Sequence, residues 1–297
     1  MTGHLVHVGF PKTGSKLLQR WFEEHPQLAF RQWGIAGFGS VLDMVDAANE
    51  PAGRFLYRVT SAEGLSAPPP ASGSAMIDYD QRTATHRHLQ AAACALVTAI
   101  APQARILIVT RGFRAMILSS YSQYLRSGGS EDFEALLARP AGDNPWNYDH
   151  VVGLYEAAFG RDNVLTLPYE LLRDDREQFA GALVDWLGLR PHPLPAARVN
   201  TSLSATELRW YPRLARALAR LPIGGGLRGR LLRRYVDGAM ANRWRPLTGL
   251  LQRLRPASPV TAELVPETLL ERFRGQAKSL RGRPFYQRYA CDYFLDA

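Results

Sequence analysis

Cysteine is scarce in this chain: two residues among 297, Cys94 and Cys291. That scarcity excludes a disulfide-stapled scaffold and a cysteine-rich metal cluster, and it fits a reduced compartment. Cys94 lies in an Ala/Leu/Val run and reads as a small buried hydrophobe. Long apolar runs are missing as well. The longest, Ala91–Ala101 and Arg105–Thr110, fall well short of the roughly 20 residues that a membrane helix needs. Met1–Gly9 has neither a basic leader region nor a cleavage pattern and runs straight into a Gly/Pro turn. A cytoplasmic chain is expected. No low-complexity linker or internal repeat divides the sequence, and Ser66–Ser74 reads as a short Pro/Ser/Ala loop.

Acid is nearly absent from one stretch. Between Arg209 and Arg255 twelve arginines face a single acid, Asp237, in a chain whose net charge is +9. Such a block is either a solvated helical face or a contact for anions: phosphates, an acidic glycan, or the inner surface of a membrane. Few aromatics interleave with the arginines and no nucleic-acid motif occurs, which argues against nucleic acid as a partner.

The first two thirds of the chain alternate strand and helix signals. Strands are expected at His4–Val8, Phe55–Val59, Ala75–Tyr79, Arg105–Thr110 and Val164–Leu167. Helices are expected at Ser15–Glu24, Thr85–Ala101, Phe113–Leu125, Trp146–Phe159 and Glu177–Leu187. The run R-I-L-I-V-T at 105–110 is continuous, β-branched and apolar, as in a parallel strand covered on both faces. This order predicts an α/β fold of three layers around a mostly parallel sheet. Beyond Leu203 the pattern is almost wholly helical. The expected organisation is one domain: an α/β core over 1–203 and an Arg-rich helical part over 204–297 that covers the acceptor side.

The stretch His7-Val8-Gly9-Phe10-Pro11-Lys12-Thr13-Gly14-Ser15-Lys16-Leu17-Leu18 joins a strand to a helix. There, uncommitted N–H groups and the helix dipole favour an anion. Gly14 permits close backbone approach, while Lys12, Lys16, Thr13 and Ser15 add charge and donors. Gly9 and Gly14 have Walker spacing, but Ser15-Lys16 reverses the Lys-Ser/Thr order that holds magnesium. The order counts against a kinase, as does the arginine, rather than an acid, that follows the strand at 106–110.

The loop resembles the 5′-phosphosulfate loop of sulfotransferases that use 3′-phosphoadenosine-5′-phosphosulfate (PAPS), with pattern P-K-[ST]-G-[ST]-[ST]-x-L. Lys16 stands where that family has a small hydroxyl residue. A second stretch, Arg111-Gly-Phe-Arg114-Ala-Met-Ile-Leu-Ser119-Ser-Tyr121, resembles the family's 3′-phosphate element, with Phe113 in place of its proline. An arginine fork and a serine eight residues later are chemically apt for phosphate. Tyr169-Glu170 resembles the Y-E-x-L segment whose tyrosine lies near adenine, and Phe179…Trp186-Leu187-Gly188-Leu189 the helix that follows it. Val199–Leu203 resembles a further nucleotide-side element, and Lys278–Arg283 the basic loop that closes over the donor.

The resemblance implies sulfuryl transfer from PAPS to a hydroxyl or amine, with no metal required. Lys12 would act on the sulfate and leaving oxygen. Thr13, Gly14, Ser15 and Lys16 would hold the 5′-phosphate, Arg111 and Ser119 the 3′-phosphate, and Tyr169 the adenine. A carbohydrate-type acceptor follows from likeness to bacterial members, as does Asp80 as general base, with Asp78 second; either could instead cap the following helix. His7, His86 and His88 stay open as bases. Two other readings remain: a magnesium-dependent P-loop kinase, and a non-enzymatic protein that binds anions or membranes through the arginines.

Overall fold

The computed structural model describes residues 2–40, 42–44, 53–66, 83–138, 145–196, 203–222, 224–241, 243–254 and 256–294. Five strands, β1 (Gly3–Gly9), β2 (Leu28–Phe30), β3 (Tyr57–Ser61), β4 (Arg105–Thr110) and β5 (Val164–Pro168), form one parallel sheet. Its order is β2-β3-β1-β4-β5. β1 therefore lies at the centre, with Leu5 opposite Val59 on one side and Gly9 opposite Val109 on the other. From β1 the chain turns one way to build β2 and β3, then crosses to the far side for β4 and β5. The loops after β1 and β4 leave in opposite directions, which opens a crevice at the carboxyl ends of the strands.

The helices follow from the apolar pattern. α1 (Ser15–Glu24) buries Leu17, Leu18, Trp21 and Phe22, one stripe of a helix, and ends just before Pro26. α2 (Thr83–Ile100) leads to β4, and α3 (Phe113–Arg126) follows it. After the short α4 (Phe133–Leu137) come α5 (Tyr148–Phe159), α6 (Tyr169–Asp174) and α7 (Arg176–Leu187). β4 is buried from Ile106 to Thr110, so its unbroken apolar run is what a sheet covered on both faces requires. The buried core is continuous across the sheet and both helical layers.

Past residue 203 the structure is helical. α8 (Ala205–Ala219) opens with a capping box in which Ser204 and Glu207 satisfy one another's backbone N–H groups. α9 (Gly225–Met240), α10 (Arg245–Leu254), α11 (Glu267–Arg274) and α12 (Ala290–Tyr293) follow. Part of the arginine block is committed to structure: Arg209 grips the Glu134 carboxylate with two bonds and Arg216 that of Asp132. These ties hold α8 against the segment after α3. Arg230, Arg233 and Arg234 on α9 are exposed.

Most expected elements recur with limits shifted by a residue or two. β2 is the addition: three residues, all buried, too few for a strand pattern to stand out in the sequence. The strand expected at Ala75–Tyr79 lies outside the described residues, as do Asp78, Asp80 and the segment 197–202.

Candidate functional site

The loop between β1 and α1 is built for close approach. Gly14 takes a left-handed conformation (φ 85°), and a Cβ there would stand 2.7 Å from the Leu172 side chain and 3.3 Å from the Tyr169 ring. Only glycine fits. Lys12 is also left-handed (φ 69°), a conformation that a non-glycine residue adopts only when its surroundings enforce it. The Thr13 hydroxyl is committed, donating to the Phe10 carbonyl at 2.6 Å to tighten the turn. No side chain caps α1 and no acid occupies its first turn, so its amino end keeps its positive field.

Lys12 is half-buried and donates from Nζ to Gln123 Oε1 at 2.7 Å. Burial lowers its pKa to about 8, helped by the positive charges of Arg126, Arg111 and Lys16, while Glu63 opposes the shift. Ser15 is buried and its Oγ has no partner. Lys16 is exposed.

Arg111 follows β4 and reaches across the crevice. Its Nη1 donates to the Lys12 carbonyl at 2.7 Å, and its guanidinium carbon lies 4.7 Å from the Tyr169 ring centroid. Its Nε is buried without a partner. Unpaired buried donors such as Arg111 Nε and Ser15 Oγ carry a free-energy cost that an anionic ligand offsets. The residues at this crevice thus fit a phosphate-bearing molecule.

Behind Arg111 sits a buried polar cluster of which only Glu170 lies in a motif of the sequence. Tyr148 Oη donates to the Arg111 carbonyl at 2.6 Å. Glu170 accepts from the Gly112 N–H at 3.0 Å and from Tyr293 Oη at 2.7 Å. Burial pushes the Glu170 carboxyl up, and these two donors pull it back. Thr110 Oγ1 contacts the hydroxyls of Tyr286 at 2.6 Å and Tyr293 at 3.2 Å. The backbone of the 110–112 turn is therefore fixed by side chains from α5, α6 and the helical C-terminal part.

Ser119 is buried on α3, one turn before Gln123 and two before Arg126, so all three share the helix face that borders Lys12. Lys12, Gly14, Arg111 and Tyr169 are directly joined, and Ser119 flanks them. Other motif residues serve the frame. Arg114 donates to the carbonyls of Ala262 and Val265 and pairs with Glu267, and Tyr121 Oη donates to the Glu131 carbonyl at 3.0 Å. In the basic segment 278–283, Arg283 pairs with Glu156 on α5 at 2.6 Å. His7 is wholly buried, its Nδ1 2.8 Å from Ser61 Oγ, and burial lowers its pKa to about 4.

Residues 5–193, more than half of the chain, match the family model described as the Sulfotransferase family. A comparison with curated proteins gives no match. Among solved structures, a sulfotransferase from Alicyclobacillus acidocaldarius is similar at 16% identity, over 67% of this chain and 86% of that one, with a TM-score of 0.44. Mouse sulfotransferase SULT7A1, solved in complex with PAP, is 16% identical over 64% of this chain and 60% of its own, with a TM-score of 0.38. The sulfotransferase domain from the curacin biosynthetic pathway is 13% identical over 65% and 76%, with a TM-score of 0.40. The chain belongs to the sulfotransferase family, and it is an enzyme whose sulfuryl donor is PAPS.

Proposed function

We propose that the crevice between the β1 and β4 loops holds PAPS across its two ends and delivers the sulfuryl group to a hydroxyl or amine of an acceptor. The observation that carries this is the convergence of Lys12, Gly14, Arg111 and Tyr169, two cations and an aromatic face around one glycine. Ser15 Oγ, the Lys16 ammonium and the backbone N–H groups of Thr13 and Gly14 bind the 5′-phosphate at the amino end of α1. Arg111 and Ser119 bind the 3′-phosphate, Arg111 as a charged fork. Tyr169 packs on the adenine with Arg111 on its ring.

Lys12 is the catalytic cation. Held by Gln123 in the resting protein, its ammonium meets the bridging oxygen where negative charge grows as the sulfur–oxygen bond breaks. The acceptor oxygen forms the new bond to sulfur in line with the leaving oxygen, whose electron pair stays on 3′-phosphoadenosine-5′-phosphate (PAP). The acceptor proton passes to a carboxylate; Asp80, and after it Asp78, are the candidates from the sequence.

For the acceptor we favour a carbohydrate carried on a lipid. The support is the outer surface of α9, where exposed Leu227 and Leu231 alternate with Arg230, Arg233 and Arg234. A face mixing leucines and arginines suits an anionic bilayer surface. Among the described residues no helix is long and apolar enough to cross a membrane. On this reading the part over 204–297 covers the acceptor side of a single domain.

The test is a calorimetric titration with PAP, AMP, ADP and magnesium–ATP against the wild type, Lys12→Ala and Arg111→Ala. Tight PAP binding, weaker AMP binding and loss of the difference in Arg111→Ala are expected. Stabilisation by magnesium–ATP with no response to PAP would overturn the assignment.

A further inference from the structure

A histidine lies wholly buried beside the phosphate loop with one ring nitrogen engaged and the other not. In the register of β1 and β3, His7 stands opposite Ser61, and its Nδ1 lies 2.8 Å from Ser61 Oγ. Its Nε2 has no partner. Ser15 Oγ, the buried hydroxyl at the start of α1, has none either. These two atoms border one point. A Cβ on Gly9 would stand 2.8 Å from Ser15 Oγ and 3.0 Å from His7 Nε2, so only glycine at position 9 leaves the space between them open.

The donors fix where the hydrogens lie. Gln19, one helical turn beyond Ser15, donates from Nε2 to Ser61 Oγ at 3.2 Å. Among the described residues, Ser61 Oγ meets only Gln19 and His7. A hydroxyl has one hydrogen and two lone pairs. With Gln19 donating to a lone pair, the Ser61 hydrogen goes to His7 Nδ1. Burial keeps the ring neutral, its pKa lowered to about 4. A neutral imidazole that accepts at Nδ1 carries its hydrogen on Nε2. That N–H borders Ser15, whose oxygen receives it directly or across one water. Ser15 then keeps its own hydrogen for an anion. The opposite tautomer would take the serine hydrogen and turn a lone pair toward the phosphate oxygens.

We infer that His7 is a positioning residue: Gln19 and Ser61 fix its hydrogen on Nε2, and that N–H orients Ser15 so that the serine hydroxyl donates to the 5′-phosphate of the donor. The inference rests on the donor reading above. It also removes His7 from the candidates for general base, because an Nε2 that already bears hydrogen takes no proton from an acceptor. Ser15, Gln19, Ser61 and His7 form one relay that links α1, β3 and β1 behind the phosphate loop.

Calorimetry with PAP and with adenosine 3′-phosphate, which lacks the 5′-phosphate, compares wild type, His7→Gln and His7→Asn, each with and without Ser15→Ala. The glutamine amide reaches the place of Nε2 and restores a donor to Ser15. The asparagine amide reaches only the place of Nδ1 and keeps the Ser61 contact. PAP affinity should fall about tenfold in His7→Asn and stay within about threefold of wild type in His7→Gln. Affinity for adenosine 3′-phosphate should be the same in all three. With Ser15→Ala present, His7→Asn should cost nothing more. Long-range proton–nitrogen NMR of the wild-type protein bound to PAP should show the His7 hydrogen on Nε2.

A hydrogen on Nδ1 would overturn the relay, whether or not the variants fold. So would equal PAP losses in the two His7 variants, or a His7→Asn loss that persists beside Ser15→Ala or appears with adenosine 3′-phosphate. Failure of the wild type to bind PAP would overturn the donor reading instead.

Discussion

Arg111 donates from Nη1 to the main-chain oxygen of Lys12 at 2.7 Å. One side chain therefore sets the separation of two loops that are adjacent only because β1 and β4 are paired. The same guanidinium rests on Tyr169, so a single residue ties the loop after β1 to the start of α6.

Arg111→Lys tests this tie. A lysine keeps the charge but cannot span the Lys12 carbonyl, the Tyr169 face and a phosphate with one ammonium. PAP affinity is expected to fall about 10- to 100-fold, with AMP affinity changed far less. Calorimetry with both nucleotides reads the difference, and equal losses for the two would place Arg111 away from the 3′-phosphate.

The depressed pKa of Lys12, about 8, gives donor binding a pH signature. The folded protein loses this proton near pH 8, whereas the unfolded chain keeps it to about 10.4, so stability from this group rises with pH between those values. A bound anion favours the charged ammonium. Above pH 8, PAP should therefore bind with proton uptake, and its apparent affinity should fall as pH rises. Titrations at pH 8.5 in buffers of different ionisation enthalpy measure the uptake, which should vanish in Lys12→Ala.

Gly14→Ala separates two effects at one position. Its Cβ would meet Leu172 at 2.7 Å, and its φ of 85° is strained for alanine. A stability loss of about 1–3 kcal/mol is expected, with loss of PAP binding. Adding Leu172→Ala removes the collision but not the strain. Thermal unfolding of the double variant, corrected for Leu172→Ala alone, should recover only part of the loss.

Tyr293→Phe leaves Glu170 with one donor in place of two. The stability cost should be about 1–3 kcal/mol at neutral pH. Glu170 already titrates above the ordinary carboxylate range because it is buried, and loss of the phenol raises it further. A carboxyl raised on folding contributes fully below its unfolded pKa and loses that contribution as pH climbs through its folded pKa. The gap between wild type and variant should therefore be narrow near pH 4 and widest above pH 7. Denaturant unfolding across that range checks it, and a gap independent of pH would mean that Glu170 stays protonated.

The loop after β1 and the turn after β4 were readable because their residues come in contiguous stretches at strand-to-helix junctions. A left-handed glycine, a lysine and a post-strand arginine each leave a local mark. β4 was legible to the residue for a similar reason: burial on both faces makes its run unbroken. Gln123, Tyr148 and Tyr293 left none. Gln123 meets Lys12 across 111 positions and Tyr293 meets Glu170 across 123, so their roles exist only after the chain has closed on itself. The Arg-rich stretch was partly misleading as a surface signal, because Arg209 and Arg216 are spent on Glu134 and Asp132.

The phenols that brace the turn before Arg111 arrive late. Tyr286 and Tyr293 lie 176 and 183 positions beyond Thr110. During synthesis, Lys12, Arg111 and Tyr169 all leave the ribosome while Thr110 and Glu170 still lack those hydroxyls. A nascent chain thus exposes Lys12 well before the arginine turn is locked. Competence to take up the donor should switch on only once Tyr293 has cleared the ribosome, so unfinished chains would not sequester it.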